Sequence, residues 1–371
     1  DDDDDSTLDN QAMSASSGES YEPRTIIAVN LDRSGYQQAL HLGLRLKKTI
    51  DLEELDMRIR SFQTEPGVDV EDVLRELRKA NSNALFDVNH LYGINGDKRT
   101  HNDIRDYPLE ILNWTTHESK GRGVKIGMID TVVDTQAPYL KGRRIVTKSF
   151  IGQYNSAGAE HGSAIASLIV GKPGSRFPGL LPQASLYAAD TFFVDQAGRQ
   201  QTSAIMIARA LNWLLTKDVS VINMSLSGPQ NKLLRESVEP VLRRKKVIVA
   251  AAGNNGPNGS PVYPAAIEGV IAITAIDRFQ RPYAGANQGK YISYAAPGVG
   301  IWTPTLDGQG RFRSGTSFAA AYFTAMAADQ LNQPGMQQGH KALRKIARKR
   351  ALDIGSPGKD TIFGWGLVRS P

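Results

Sequence analysis

The sequence contains no cysteine. This absence excludes disulfide bonds, zinc sites built on thiolates and a cysteine nucleophile. No apolar run approaches the roughly 20 residues that a membrane-spanning helix needs, so no such helix is expected. Glycine loops of the G-x-G-x-x-G or G-x-x-x-x-G-K type are missing too, which argues against a nucleotide-dependent enzyme.

Acidic residues are scarce in the last two thirds of the chain. The formal charge is only +6 over 371 residues, but residues 121–371 hold thirty basic and fourteen acidic residues, a net charge of +16. Residues 24–94 carry −1, whereas residues 1–20 contain seven acids and no base. The total therefore hides an acidic start, a neutral unit and a strongly basic block.

The length and the residue pattern divide the chain into four parts. Residues 1–23 form an acidic, disordered head, because they hold too few large apolar side chains to build a core. Residues 24–94 predict a small α+β domain, residues 95–120 a polar connector that contains the processing region, and residues 121–371 a larger α/β domain. In the small domain we expect strands at 24–30, 57–62 and 84–92, with helices at 35–55 and 69–80.

In the larger domain, short apolar strands alternate with helices. Strands are predicted at 124–129, 185–189, 219–226, 247–252 and 270–276, and helices at 202–217, 232–243 and 318–331. This alternation favours a three-layer α/β fold with a mostly parallel central sheet covered on both faces. Sites in such sheets lie beyond the carboxyl ends of the strands.

Three residues that can form a catalytic triad occur in these positions. Asp130 follows the first strand in GMIDT, His161 begins an apolar helix in EHGSAIAS, and Ser317 begins another in RSGTSFAAA. Each residue alone is as well explained as a cap or a structural polar group. Together they stand in the order Asp–His–Ser that subtilisin uses. Asn254, in VIVAAAGNNG, follows a buried strand and can donate its amide to an oxyanion.

With these segments, residues 121–371 resemble the catalytic domain of subtilisin-like serine proteases, the subtilases. The resemblance is carried by VKIGMIDT, HGSAIAS, LPQASLYAAD, VINMSLSG, VIVAAAGNNG, YAAPG, GTSFAAA and GWGLV. It implies a subtilisin-like fold and a serine endopeptidase that hydrolyses peptide bonds through an acyl-enzyme on Ser317.

The resemblance also implies a role for each matching residue. Ser317 is the nucleophile, His161 the general base, Asp130 the residue that orients His161, and Asn254 the oxyanion donor. The segments that match the walls of the substrate cleft are Ser225, Leu226, Ser227, Gly228, Ala251, Ala252 and Gly253.

Residues 24–94 resemble the inhibitory prodomain of subtilases, a ferredoxin-like unit that assists folding and blocks the cleft with its C-terminal tail. The strand and helix order and the closing segment ALFDVNHLY carry this resemblance. It leads to the hypothesis that the chain is a zymogen, cut by its own Ser317 within about residues 91–107.

No cofactor is expected. Calcium stays possible without a clear site, because the loop GKPGSRFPGLLP after the His161 helix holds no acid. The expected partners are polypeptide substrates and the chain's own prodomain. Nucleic acid is not an expected partner, although residues 243–246 and 341–350 form basic runs. A secreted or periplasmic location is expected, with any signal peptide already removed.

One alternative stays open. Compared with the family pattern, Val132 replaces a glycine, Ala164 replaces a second histidine, and Ala321 and Tyr322 replace a Pro-His pair. These departures fit a catalytically silent subtilase-fold protein that acts as a binding or scaffold module.

Overall fold

The computed structural model describes residues 13–14, 20–80, 84–94, 98–99 and 105–370. The acidic head predicted at residues 1–23 lies mostly outside these ranges, and so do residues 95–97 and 100–104 of the predicted processing region. In the N-terminal domain, the elements are β1 (Met13–Ser14), β2 (Ser20–Val29), α1 (Arg33–His41), β3 (Arg45–Leu52), a 3-10 turn (Glu53–Leu55), β4 (Met57–Gln63), α2 (Val70–Ala80) and β5 (Leu85–Ile94).

The N-terminal domain is an antiparallel sheet covered on one face by two helices. Its strands lie in the order β5–β2–β4–β3, and β1 pairs with β2. A β-α-β-β-α-β chain in this order is a ferredoxin-like unit. Ile26, Phe62 and Phe86 on the sheet pack with Leu74 and Leu77 of α2 in one buried cluster.

The helix predicted over residues 35–55 is wrong in its second half. Helix α1 ends at His41, where Gly43 adopts a positive φ of 78° and turns the chain. Residues Arg45–Leu52 then form β3, which pairs along its whole length with β4. The charged composition of this segment favours a helix, but β3 is an edge strand, where exposed lysines and arginines are tolerated. Pairing with β4 therefore overrides local propensity.

The remaining elements build the larger domain. They are β6 (Lys98–Arg99), α3 (Tyr107–Ile111), β7 (Lys125–Asp130), β8 (Arg144–Ser149), α4 (Glu160–Val170), β9 (Ser185–Asp190), β10 (Phe193–Val194), β11 (Gln200–Ser203), α5 (Ala204–Thr216), β12 (Val221–Met224), β13 (Leu226–Ser227), α6 (Lys232–Arg243), β14 (Val247–Ala251), β15 (Ile271–Ile276), β16 (Ile292–Pro297), β17 (Ile301–Pro304), β18 (Gly310–Ser314), α7 (Thr316–Leu331), α8 (His340–Arg350), β19 (Ala351–Leu352) and β20 (Leu367–Val368).

The central sheet has the predicted three-layer form. Its strands lie in the order β19–β20–β16–β15–β14–β12–β7–β9–β8, and every neighbouring pair is parallel except β19 with β20. Helices α4 and α7 pack on one face, and α5 and α6 on the other. Strands β8 and β16 were not predicted. Strand β8 is largely exposed and lacks an apolar pattern, whereas β16 is a short run rich in small residues.

Strand β5 joins the two domains. It continues beyond the N-terminal sheet and pairs antiparallel with β11 and β13 of the larger domain. Asn231 supports this junction: its Oδ1 accepts from Leu234 N at 2.9 Å as the N-cap of α6, and its Nδ2 donates to the Val88 carbonyl at 3.0 Å. Asp87 Oδ2 accepts from Lys232 N at 2.8 Å. The start of α6 is therefore completed by the N-terminal domain.

We expect Asn231→Ala to destabilise the full chain by about 2 kcal/mol, because it removes a helix cap and a buried hydrogen bond together. The measurement is chemical unfolding of the full chain, with Ser317→Ala as the common background for both variants. Asn258→Ala, in an exposed loop, is the matched control and is expected to change the free energy of unfolding by less than about 0.5 kcal/mol. Equal losses in both variants would contradict a junction role.

Candidate active site

Asp130, His161 and Ser317 meet at the carboxyl edge of the central sheet. Asp130 is the last residue of β7, while His161 and Ser317 are the second residues of α4 and α7. Parallel strands end at one edge, and helices that return to that edge begin there. The fold therefore brings together three residues that lie as far as 187 positions apart in the chain.

Asp130 and His161 form a direct pair. His161 Nδ1 lies 2.7 Å from Asp130 Oδ1, which also accepts from Thr131 N at 2.7 Å. Gly162 permits this approach, because a Cβ there would lie 2.3 Å from the Thr131 carbonyl oxygen. With Nδ1 bound to the carboxylate, the other ring nitrogen, Nε2, is left to accept a proton. Nε2 is buried and has no hydrogen-bond partner among the described residues.

Ser317 is held from behind by a buried polar network. Its Oγ donates to the Ser225 carbonyl at 3.3 Å, and its own carbonyl accepts from Ser225 Oγ at 3.3 Å. Asn223 Nδ2 donates to Ser225 Oγ at 2.8 Å, and Asn223 Oδ1 accepts from Thr324 Oγ1 at 3.0 Å. All four side chains are buried. The Ser317 hydroxyl is therefore bound to the Ser225 carbonyl, and rotation about the Cα–Cβ bond of Ser317 changes the direction in which Oγ points.

Asn254 presents a fixed and unused donor. Its Oδ1 accepts from Thr316 N at 3.1 Å and from Thr316 Oγ1 at 2.9 Å. Two donors on one oxygen define which amide atom is which. The Nδ2 group is buried without a partner in the part of the chain that the structure describes. A preorganised N–H of this kind next to a nucleophile suits an oxyanion.

The predicted cleft residues lie on both sides of this centre. Leu226 and Ser227 form β13 and pair with Ile94 and Gly93 of β5. Gly228 faces Tyr92, whose ring occupies the space of a Cβ at that position, with 2.1 Å between the two. On the other side, Gly253 N donates to Thr316 Oγ1 at 3.2 Å. Ala251 ends β14, and the Ala252 carbonyl accepts from Tyr291 Oη at 2.7 Å.

Several supporting residues were not predicted. Thr316 orients Asn254, while Asn223 and Thr324 support Ser225. Arg313, only 2% exposed, donates to Glu160 Oε1 at 2.6 Å and links the strand before Ser317 to the helix turn that carries His161. Thr316 belongs to the GTS segment, so the sequence indicates that it lies next to Ser317. The sequence does not indicate that it binds Asn254.

The described residues contain no group of three or more histidine, aspartate or glutamate side chains placed to hold a metal ion. No helix within the described ranges is long and apolar enough to cross a membrane.

Comparison with known proteins identifies the family of the larger domain. The model of the subtilase family matches residues 121–366. The chain belongs to the subtilase family. It is 30% identical to subtilisin E of Bacillus subtilis (strain 168) over 274 residues, which cover 70% of this chain and 68% of that protein. It is 29% identical to the minor extracellular protease Epr of the same organism over 265 residues, 71% of this chain and 40% of that protein.

A solved structure shares the fold of nearly the whole chain. Fervidolysin from Fervidobacterium pennivorans superposes with a TM-score of 0.80 at 22% identity, covering 96% of this chain and 61% of that one. The likeness therefore includes the N-terminal domain as well as the subtilase domain. This subtilase spans about 40% of the length of Epr and 61% of fervidolysin.

Three of the four departures from the family pattern pack into the core of this subtilase, whereas Val132 is only half-buried. Ala164 and Ala321 are fully buried where α4 meets α7, and Tyr322 is 6% exposed. All three side chains belong to the hydrophobic core cluster that also contains Phe318. The alternative of a silent module therefore gains no support from packing at the site.

We expect Thr316→Val to lower kcat about tenfold with little change in KM, because the Asn254 amide loses one of its two anchors and acts only in the transition state. Steady-state kinetics on a peptide substrate provide the measurement. Thr147→Val on the exposed strand β8 is the control and is expected to match the wild type. A rise in KM at unchanged kcat would contradict the orienting role.

Proposed function

We propose that the protein is a serine endopeptidase that hydrolyses peptide bonds through an acyl-enzyme on Ser317. The observation that carries the proposal is the meeting of the Asp130–His161 pair, the Ser317 hydroxyl and the unused Asn254 Nδ2 donor at one edge of the sheet. These are the base, nucleophile and oxyanion donor that acyl transfer requires.

In the first half of the reaction, Ser317 Oγ attacks the substrate carbonyl carbon while His161 Nε2 takes the hydroxyl proton. Asp130 stabilises the imidazolium through the 2.7 Å contact to Nδ1. Asn254 Nδ2 and the backbone N–H of Ser317 donate to the oxyanion. His161 then gives the proton to the leaving amine, the C–N bond breaks, and the acyl-enzyme remains.

In the second half, water attacks the acyl carbon and His161 accepts its proton. The oxyanion is again stabilised by the Asn254 donor, and the C–O bond to Ser317 breaks as the proton returns to Oγ. The products are a carboxylic acid and the free enzyme. An extended substrate forms backbone hydrogen bonds with β13, as β5 does in this structure.

We propose further that the chain is a self-processing zymogen whose N-terminal domain is a prodomain. Strand β5 pairs with the edge of β13 up to Ile94. The next strand in the chain, β6, pairs with β18, which ends three residues before Ser317. Ile94 is paired with Leu226 in the antiparallel register. Ser225 directly precedes Leu226, and its carbonyl accepts a hydrogen bond from the Ser317 hydroxyl. This register favours cleavage after Asn95, within the region predicted from the sequence.

Polypeptide substrates and a location outside the cell or in the periplasm complete the proposal. Epr is named as an extracellular protease and fervidolysin as a keratinolytic enzyme related to subtilisin. In this chain, release of β5 leaves the edges of β11 and β13 unpaired with it, and such edges favour an extended polypeptide as the substrate.

We expect the wild-type chain to convert to a form that begins at Gly96, whereas Ser317→Ala stays intact, because the variant lacks the nucleophile. Intact mass and N-terminal sequencing provide the measurement. Ser356→Ala, on an exposed loop, is the control and is expected to process like the wild type. Processing of Ser317→Ala without added protease would contradict self-cleavage, and a different new N-terminus would contradict the register.

After cleavage, Tyr92 is expected to hold the prodomain in the cleft, because its ring is 1% exposed and lies against Gly228. Tyr92→Ala removes a buried aromatic ring, a loss of about 3 kcal/mol or roughly a hundredfold in affinity. The delay between processing and the onset of peptide hydrolysis is therefore expected to shorten. Tyr92→Phe keeps the ring and is expected to keep the delay. An unchanged delay in Tyr92→Ala would contradict this anchor.

A further inference from the structure

Two buried carboxylates lie side by side at the edge of the sheet. Asp130 ends β7 and Asp190 ends β9, and these two residues are directly paired in the parallel register. Paired residues on neighbouring parallel strands point to the same face, and the strands lie about 4.8 Å apart. Asp130 is 1% exposed and Asp190 is 5% exposed. Water therefore does not screen the two groups from each other.

Each carboxylate has one oxygen that is hydrogen bonded and one that is not. Asp130 Oδ1 accepts from Thr131 N and His161 Nδ1, and Asp190 Oδ2 accepts from Ser149 Oγ at 2.9 Å. Asp130 Oδ2 and Asp190 Oδ1 are buried without a partner among the described residues. Two buried, ionised carboxylates in this position repel each other, so one of them is expected to hold a proton.

We propose that Asp190 is a neutral carboxylic acid that donates a hydrogen bond to Asp130 Oδ2 and thereby fixes the Asp130 carboxylate toward His161. The inference rests on the triad of the proposed function. Asp190 stands beside Asp130 on the neighbouring strand, so it is a positioning residue that acts through Asp130. One proton between the two carboxylates satisfies both unpartnered oxygens at once.

The proton belongs on Asp190 because the two environments differ. Asp130 Oδ1 already accepts hydrogen bonds from Thr131 N and from His161 Nδ1, so this carboxylate acts as an acceptor on the side of the triad. Burial raises the pKa of Asp190, the charge of Asp130 adds to this effect, and the hydrogen bonds from Ser149 and the Phe192 N–H offset it only in part.

Other charged groups near β9 are engaged elsewhere. Lys125 and Arg144 stand at the far ends of β7 and β8, opposite Ser185. Lys148 and Arg209 lie near the ring of Phe150. Glu160 is paired with Arg313 at 2.6 Å and with Arg311 at 3.0 Å. On the described elements packed against β9, the titratable groups are Lys125, Asp130, Arg144, Lys148, Glu160, His161 and Arg209. Of these, Asp130 and His161 belong to the triad itself.

The kinetic test compares Asp190→Asn with Asp190→Leu in the processed enzyme. Asparagine can still donate to Asp130 and accept from Ser149, so kcat/KM is expected to stay within about threefold and the midpoint of the acid limb of its pH profile within about 0.3 pH units. Leucine cannot donate, and kcat is expected to fall about tenfold or more with KM little changed.

Two kinetic outcomes overturn the inference. If Asp190 is ionised, Asp190→Asn removes a negative charge near His161, and the acid limb moves down by about one pH unit. If Asp190→Leu matches the wild type, the hydrogen bond has no positioning role. Asp195→Asn, which changes an ion pair between a carboxylate that is 10% exposed and Arg199, controls for loss of an acid elsewhere and is expected to leave the profile unchanged.

A spectroscopic test does not depend on activity or on the folding of the leucine variant. In the full Ser317→Ala chain at neutral pH, infrared spectra are expected to show the C=O stretch of a protonated carboxylic acid. Asp190→Asn in that background removes this band, and Asp195→Asn keeps it. A chain without the band, or with a band that survives Asp190→Asn, overturns the inference. Failure of the triad itself is separately visible as activity that persists in Ser317→Ala.

Discussion

Helix α7 passes through the larger domain with nearly every residue buried, and its small side chains let it contact β12, β14, β15, β16 and α4 together. A helix enclosed in this way has little freedom to shift, because packed interiors resist displacement. Its first turn carries both Ser317 and Thr316, so the nucleophile and the anchor of Asn254 are placed by one element. The contact between α4 and α7 then fixes the position of the Asp130–His161 pair relative to Ser317 and Asn254.

Strands β11 and β13, which lie beside the candidate active site, also bind the N-terminal domain. Strand β5 adds to β11 and β13 by backbone pairing, the mode that an extended polypeptide also uses. Under the proposed function, the N-terminal domain and a substrate therefore compete for the same backbone hydrogen bonds. What distinguishes the N-terminal domain is its second attachment, through Asp87 and Asn231 at the start of α6. Binding at two linked places keeps the tail in the cleft at high effective concentration.

Local patterns in the sequence predicted five of the parallel strands (β7, β9, β12, β14 and β15) and helix α6. They also predicted the edge where Asp130, His161, Ser317 and Asn254 lie, because each stands directly after a predicted strand or at a helix start. They could not give contacts between distant segments. Strand β3 was read as helix because only its pairing with β4 makes it a strand. The anchoring of Asn254 by Thr316 and the pairing of Asp130 with Asp190 depend on register and packing, which no local pattern encodes.

The central claim is that the fold assembles a working nucleophile at Ser317 and that the N-terminal domain covers it. Labelling with a fluorophosphonate probe, followed by peptide mass mapping, tests this most directly. The account predicts one label, on Ser317, which appears once the N-terminal domain has been released and is absent from His161→Ala. A processed protein that is not labelled, or is labelled at another serine, would contradict the account and favour the silent binding module.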